Sequence, residues 1–244
     1  MIYPILYYGE PLLRRRSKPV EQFGAELSTL AEDMIETMYA ADGVGLAAPQ
    51  IGIDRRLFVA LEVNREDPQE AAESAEELAE ELAEESVGEA VGQLADTHEE
   101  DDAQTLSEPE LTEDEKREAW GVIREHVIVN PVIIESSGRQ YARDGCLSLP
   151  GLIAEGVPRP TRVIIEYQDL SGAKQRLEAN DYFAHVLQHE FDHLEGILYF
   201  DHLPAERREA FLEEHRSLLA EWQRLARARS KAAAKAPPRV GSSR

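Results

Sequence analysis

Apolar positions recur along the chain with two different periods, and the switches between them mark the elements. Leu27, Leu30, Ala31, Met34, Ile35 and Met38 fall at helical spacing, so residues 25 to 40 read as an amphipathic helix that Asp42-Gly43 ends. Leu57 to Val63 is rich in apolar and β-branched residues and reads as a strand. His126 to Glu135 reads as a strand broken at Asn130-Pro131, which places it at a sheet edge or gives it a bend. From Thr161 to Asp169 residues Val163, Ile165 and Tyr167 alternate with Arg162, Ile164 and Glu166, and Ser171-Gly172 turns this strand into a hairpin with Lys174 to Glu178. Helical spacing returns with Phe183, Val186, Leu187, Phe191 and Leu194; Asp181 is placed to cap this helix and Gly196 to stop it. After Pro204 one long helix is expected, with a stripe of Phe211, Leu218, Leu219, Trp222, Leu225 and Ala226. Residues 1 to 24 read as an extended arm with a solvated basic cluster, Arg14 to Arg16 and Lys18.

Between Asn64 and about residue 118 the periodicity gives way to an acidic, low-complexity stretch. The chain's net charge of −22 resides here: residues 66 to 115 hold 21 Asp or Glu and no Lys or Arg. The remaining residues carry 27 acidic and 26 basic groups, so the rest of the chain is balanced. Like charges at i, i+4 oppose a helix, and a solvated loop is expected. The reading is therefore one domain, 1 to 203, interrupted by an acidic insertion at 64 to 118 and followed by a C-terminal helix and basic flexible tail at 204 to 244. No apolar run approaches the about 18 residues of a membrane span, and the first residues lack the basic flank of a secretory signal. A cytoplasmic location is expected. Cys146 is the single cysteine, so no internal disulfide forms.

The chemistry concentrates in Gln188-His189-Glu190-Phe191-Asp192-His193. On a helix, residues four apart share a face, so His189 and His193 are set to bind one metal ion, with Glu190 beside them to handle the proton of a water. Hydrolytic sites of this kind take three protein ligands. The third candidates are Cys146, another His or a carboxylate. The lone cysteine, in a Gly-Cys-Leu-Ser turn between strands, favours Cys146 with the two histidines, a donor set suited to Fe(II), Zn(II), Co(II) or Ni(II). Upstream, Gly43-Val44-Gly45-Leu46-Ala47-Ala48-Pro49-Gln50 lacks the third glycine of a dinucleotide loop. Its small residues mean tight packing or a backbone that a ligand reaches.

Three segments together resemble the peptide deformylase family: Gly43 to Gln50, Asp144-Gly145-Cys146-Leu147-Ser148, and Gln188 to Gly196, in the family's order. The resemblance covers about residues 1 to 63 and 120 to 203. It implies hydrolytic removal of the N-formyl group from nascent polypeptides beginning with formyl-methionine. It implies one divalent metal, typically Fe(II) with Zn, Ni or Co able to replace it, held by Cys146, His189 and His193. Glu190 would be the general base, and Gln50 with the Leu147 N–H the oxyanion hole. The backbone at Val44 and Gly45 would pair with the substrate, and His185 and Val186 would wall the methionine pocket. One departure is Asp144, where the family usually has Glu; it is expected to support the metal loop, with Arg159 or Arg162 as its ion-pair partner. Two other readings are a non-catalytic paralogue and a different metallopeptidase with the same helix motif. The basic tail is expected to dock on the ribosome; neither a membrane nor DNA is an expected partner. The expected fold is α+β: antiparallel and mixed sheets wrapped around a central metal-binding helix, with an N-terminal and a C-terminal helix outside.

Overall fold

The computed structural model describes residues 1–64 and 111–235. Most of the acidic stretch and the last part of the basic tail lie outside the described residues. The chain divides into two compact units, Val63–Val122 and the rest.

In the larger unit the helix α1 spans Ala25–Ala40 and the strands β1 and β2 span Gly45–Ala47 and Leu57–Val63, the last residue of β2 belonging to the smaller unit. They are followed by β3 (Val122–Ser137), whose first residue belongs to the smaller unit, then β4 (Gln140–Cys146) and β5 (Leu149–Arg159). The hairpin β6 (Arg162–Gln168) and β7 (Lys174–Asn180) comes next. Helix α3 covers Asp181–Glu195, and α4 and α5 cover Ala205–Glu214 and Arg216–Lys235. Five strands form one sheet in the order β1-β2-β3-β6-β7, and β4 pairs with β5 in a second. The pairs β1–β2, β3–β6, β6–β7 and β4–β5 run antiparallel. The α+β expectation holds.

Helix α3 sits where two cores meet. Its apolar face, with Ala184, Leu187 and Leu194, packs into a cluster that includes Phe58, Ile128 and Ile165 of the large sheet. A second cluster joins Leu149, Leu152 and Val157 of β5 to Tyr199 and Phe200, just beyond α3, and to Phe211 and Trp222 of the C-terminal helices. The helix is thereby pinned on one side by the sheet while its polar face meets the β4–β5 hairpin. Burial of such apolar faces contributes about 25 cal/mol per Å², which holds a helix carrying so many polar groups inside.

Several sequence expectations change here. Asp181 does not cap α3. It is the first helical residue, at φ 49°, Asn180 occupies the N-cap without a side-chain bond, and the Asp181 N–H donates instead to the Thr161 carbonyl at 2.7 Å. Gly196 does stop the helix, in the left-handed region at φ 75°, and a Cβ there would lie 2.7 Å from the Arg14 and Arg15 backbone. Strand β3 is central rather than at an edge; Asn130-Pro131 produces a bend, with Asn130 at φ 50° and a register shift between Val129 and Val132. The Asn130 side chain fixes that bend by bonding the Val20 backbone and Gln168. The single C-terminal helix is two, broken at His215, and Leu218 and Leu225 face solvent while Leu219, Trp222 and Ala226 are buried. Helix α5 carries the basic residues Arg227, Arg229 and Lys231, and the last part of the tail, expected to be flexible, lies outside the described residues.

In the smaller unit, α2 spans Glu113–Ala119. Thr112 and Glu115 form a reciprocal capping box there. The Thr-x-x-Glu spacing was the available signal for this helix within the acidic stretch.

Candidate metal centre

Helical periodicity stacks His185, His189 and His193 on one stripe of α3. The β4–β5 hairpin brings Cys146, the last residue of β4, against that stripe. The sulfur of Cys146 lies 3.2 Å from Nε2 of His193, and one donor atom each from Cys146, His189 and His193 falls within 4.8 Å of the other two. A tetrahedral ion with one thiolate and two imidazoles needs donors about 3.5 Å apart, so the set fits a transition metal. Among the described residues this is the one such cluster.

The surroundings orient the donors. Oδ1 of Asp144 lies 2.8 Å from Nδ1 of His189, which leaves the opposite ring nitrogen toward the cluster. Burial disfavours a charged imidazole, but the Asp144 carboxylate outweighs it and raises the His189 pKa well above the ordinary value. Burial likewise opposes ionisation of Asp144, and His189 and His185 hold its carboxyl well below the usual range. His193 is pushed down to about 3 by burial and by the charge of His189. Arg159 is the ion-pair partner of Asp144, with Nη2 at 3.0 Å; Arg162 instead pairs with Glu178 and Glu135 on the surface. A shorter carboxylate at position 144 therefore still reaches both His189 and Arg159.

Glu190 is buried at 4% exposure, and its Oε2 has no hydrogen-bond partner among the described residues. Burial pushes its pKa up to about 7, the range in which a carboxyl both accepts and returns a proton near neutrality. Gly45 makes room for it: a Cβ at this position would lie 2.4 Å from Glu190 Oε1. Gly43 similarly faces the Leu147 side chain, 2.7 Å from a Cβ. The glycine pair thus serves tight packing against two of the site residues.

Gln50 is buried on the 3-10 turn Ala48–Ile51. Its Oε1 accepts from the Ala47 N–H at 2.7 Å, which turns Nε2 toward Cys146 Sγ at 3.5 Å and the Ser148 hydroxyl at 3.4 Å. Leu147 occupies the turn between Cys146 and Ser148. The N-terminal arm braces both pieces: the Leu6 N–H donates to Gln50 O at 2.7 Å and the Tyr8 N–H to Ser148 O at 3.0 Å. Strand β1 is the sheet's outer strand. The Val44 carbonyl is taken by the Leu61 N–H at 2.8 Å, and antiparallel alternation turns the backbone of Gly45 to the open edge.

His185 lies with Nε2 3.3 Å from Asp144 Oδ2, and Val186 is buried in the sheet-side core. The sequence reading overlooked Ser148, Tyr199 and the Asp192–His202 pair. The Tyr199 ring lies 6.1 Å from that of His189 at 20°, and its hydroxyl donates to Leu152 O at 2.7 Å. Only Asp192 left a local trace, as a charge three residues from His189 on the same helix.

A partly buried cysteine and two buried histidines, with the buried carboxyl of Glu190 next in the chain, make a set equipped for metal-assisted hydrolysis. The family model described as polypeptide deformylase matches residues 2–209. The peptide deformylase of Thermus thermophilus is 43% identical over 228 residues, 93% of this chain and 96% of that one. That of Acidobacterium capsulatum is 32% identical over 224 residues, 91% and 99% of the two chains. The crystal structure of a peptide deformylase from Thermus thermophilus superposes with a TM-score of 0.67 at 42% identity, covering 92% of this chain and 99% of the other.

Proposed function

This chain belongs to the peptide deformylase family, and on that premise we propose that Cys146, His189 and His193 hold one divalent cation beside which Glu190 and Gln50 carry out deformylation of formyl-methionyl polypeptides. Fe(II) is the proposed ion, with Zn, Ni or Co as substitutes. Bound there, it supplies Lewis acidity and makes water acidic near neutral pH.

The residues divide the remaining work. Glu190 removes a proton from the attacking water, whose oxygen bonds to the formyl carbon. Gln50 Nε2 and the Leu147 N–H donate to the formyl oxygen as it gains charge; each such donor contributes about a hundred- to a thousandfold in rate. As the C–N bond breaks, Glu190 passes the proton to the leaving amine, giving formate and a free α-amine. A buried carboxyl with one oxygen free, next to the triad, is placed for both halves of this transfer. The substrate backbone adds as a strand to the open edge of β1 at Gly45, with Val44 behind it. The methionine side chain is assigned to the region of His185 and Val186. Asp144 holds His189 in orientation.

The observation that carries this reading is the unpartnered, buried Oε2 of Glu190 next to the triad. It is tested by metal content and turnover of Cys146→Ser against the parent. Loss of both supports the triad; a variant that retains its ion and its rate contradicts it. The proposed cellular setting is the cytoplasm, with the ribosome as a docking partner through the basic end of α5.

A further inference from the structure

The buried charges beyond the triad form one connected path that ends at the surface, on the turn Tyr199–His202 that follows α3. Arg159 is buried on β5 and spans two carboxylates from different elements. Its Nε and Nη2 donate to Asp144 Oδ2 on β4 at 3.3 and 3.0 Å, and its Nη1 donates to Asp192 Oδ2 on α3 at 2.8 Å. The guanidinium therefore ties the hairpin that carries Cys146 to the helix that carries His189 and His193. Asp192 Oδ2 is shared: His202 Nε2 lies 2.7 Å from the same oxygen. His202 is 32% exposed on its side chain, whereas Asp192 is 11% and Arg159 2% exposed.

We propose that His202 is a positioning residue for the metal triad, acting through Asp192 and Arg159. Asp192 is one residue from His193 and one helical turn from His189, so its carboxylate has little freedom along α3. It can still rotate about its side-chain torsions. The His202 donor removes that freedom by fixing the oxygen that Arg159 also uses. Arg159 then presents its other two donors to Asp144 in one geometry, and Asp144 in turn fixes the ring of His189. Asp144 takes the His189 ring on Oδ1 at 2.8 Å and the guanidinium on Oδ2 at 3.0 Å, so the two contacts are made by the two oxygens of one short carboxylate. Loss of an outer partner of a metal ligand typically costs 10–100-fold in affinity or activity.

The inference rests on the proposed metal centre, and its test separates the two. Full-length parent, His202→Phe, His202→Gln and Cys146→Ser are loaded with Ni(II), and loss of the ion to excess EDTA is timed. Phe keeps the ring and removes the donor; Gln returns a donor near the position of Nε2. The expected result is ion loss about tenfold faster in His202→Phe and within about twofold of the parent in His202→Gln. The kcat of His202→Phe on a formyl-methionyl tripeptide falls with KM little changed. Ion loss from His202→Phe at the parent's rate overturns the inference alone, as does equal acceleration in both His202 variants. A parent that binds no ion, or a Cys146→Ser that holds it as tightly, brings down the metal centre first and this inference with it.

Discussion

Glycine 45 shows how one missing side chain supports the chemistry. Its φ is not in the left-handed region, so conformational freedom is not the reason for glycine there; space is. Gly45→Ala forces a methyl group against Glu190 Oε1, and kcat is expected to fall at least about tenfold with metal content unchanged, since small displacements of a reacting group carry large rate costs. Steady-state kinetics with metal analysis checks this. Glu190 itself gives a pH signature in the metal-free protein. Its carboxyl is raised from 4.5 to about 7 by burial. The folded state then binds the proton more tightly than the unfolded state, so stability is full below about pH 4.5 and is lost as pH rises through 7. The loss is about 3 kcal/mol at most. Metal-free Glu190→Gln should lack this fall in denaturation midpoint between pH 5 and 8 relative to the parent; an identical pH profile would show that the carboxyl is not held protonated. That Cys146, His189 and His193 come together was legible in the sequence, because helical spacing puts residues four apart on one face and only one cysteine was on offer. Arg159 appeared there only as one of two charges. Its link to Asp192 and His202 joins β5, α3 and the following turn, and no local spacing encodes a contact of that range.

Helix α3 was readable in type and nearly in its bounds, since apolar and polar stripes alternate cleanly along it. Its N-terminal detail was not, because the β5–β6 turn satisfies its first N–H in place of a cap: Thr161 accepts from Asp181, and Gln188 and Gln140 both bond Pro160 O. The C-terminal end is held by Arg56 of the β2 approach, which is buried, pairs with Glu195 at 2.7 Å and lies over the Phe191 ring at 5.7 Å. Removing one partner of a buried pair costs about 3–5 kcal/mol, and less where the other keeps some exposure. Glu195 is 22% exposed, so Arg56→Met is expected to destabilise the fold by about 2 kcal/mol. Thermal and denaturant unfolding measure it; an unchanged midpoint would mean the helix end is anchored by its apolar face alone. The C-terminal pair of helices reads as one in the sequence because the stripe of Phe211 to Ala226 is nearly continuous. Leu219 and Trp222 are the residues that turn inward, into the cluster with β5, Tyr199 and Phe211, and Trp222 also meets Tyr7 with ring centroids 5.9 Å apart.

At the scale of the molecule, charge is partitioned. In the sequence 21 acids fall between residues 66 and 115, and all the proposed site residues belong with the larger unit. Exposed basic residues Arg224, Arg227, Arg229 and Lys231 follow one another on α5. Phosphate contacts by such residues are electrostatic and weaken with salt, so deleting 227–244 should reduce ribosome co-sedimentation most strongly at low salt; unchanged binding across salt concentrations would remove that role. The acidic block was legible from composition, since 50 residues without a single Lys or Arg stand out against balanced surroundings. The architecture of the sheet was not, because pairing order depends on contacts between strands far apart in the chain. The most direct measurement is turnover of formyl-Met-Ala-Ser by anaerobically purified, Fe(II)-loaded protein beside Glu190→Gln, with metal content determined for both. The account predicts formate release by the parent, near-complete loss in the variant and one bound ion in each. Turnover that survives in Glu190→Gln, or a parent with one ion and no turnover, would contradict it.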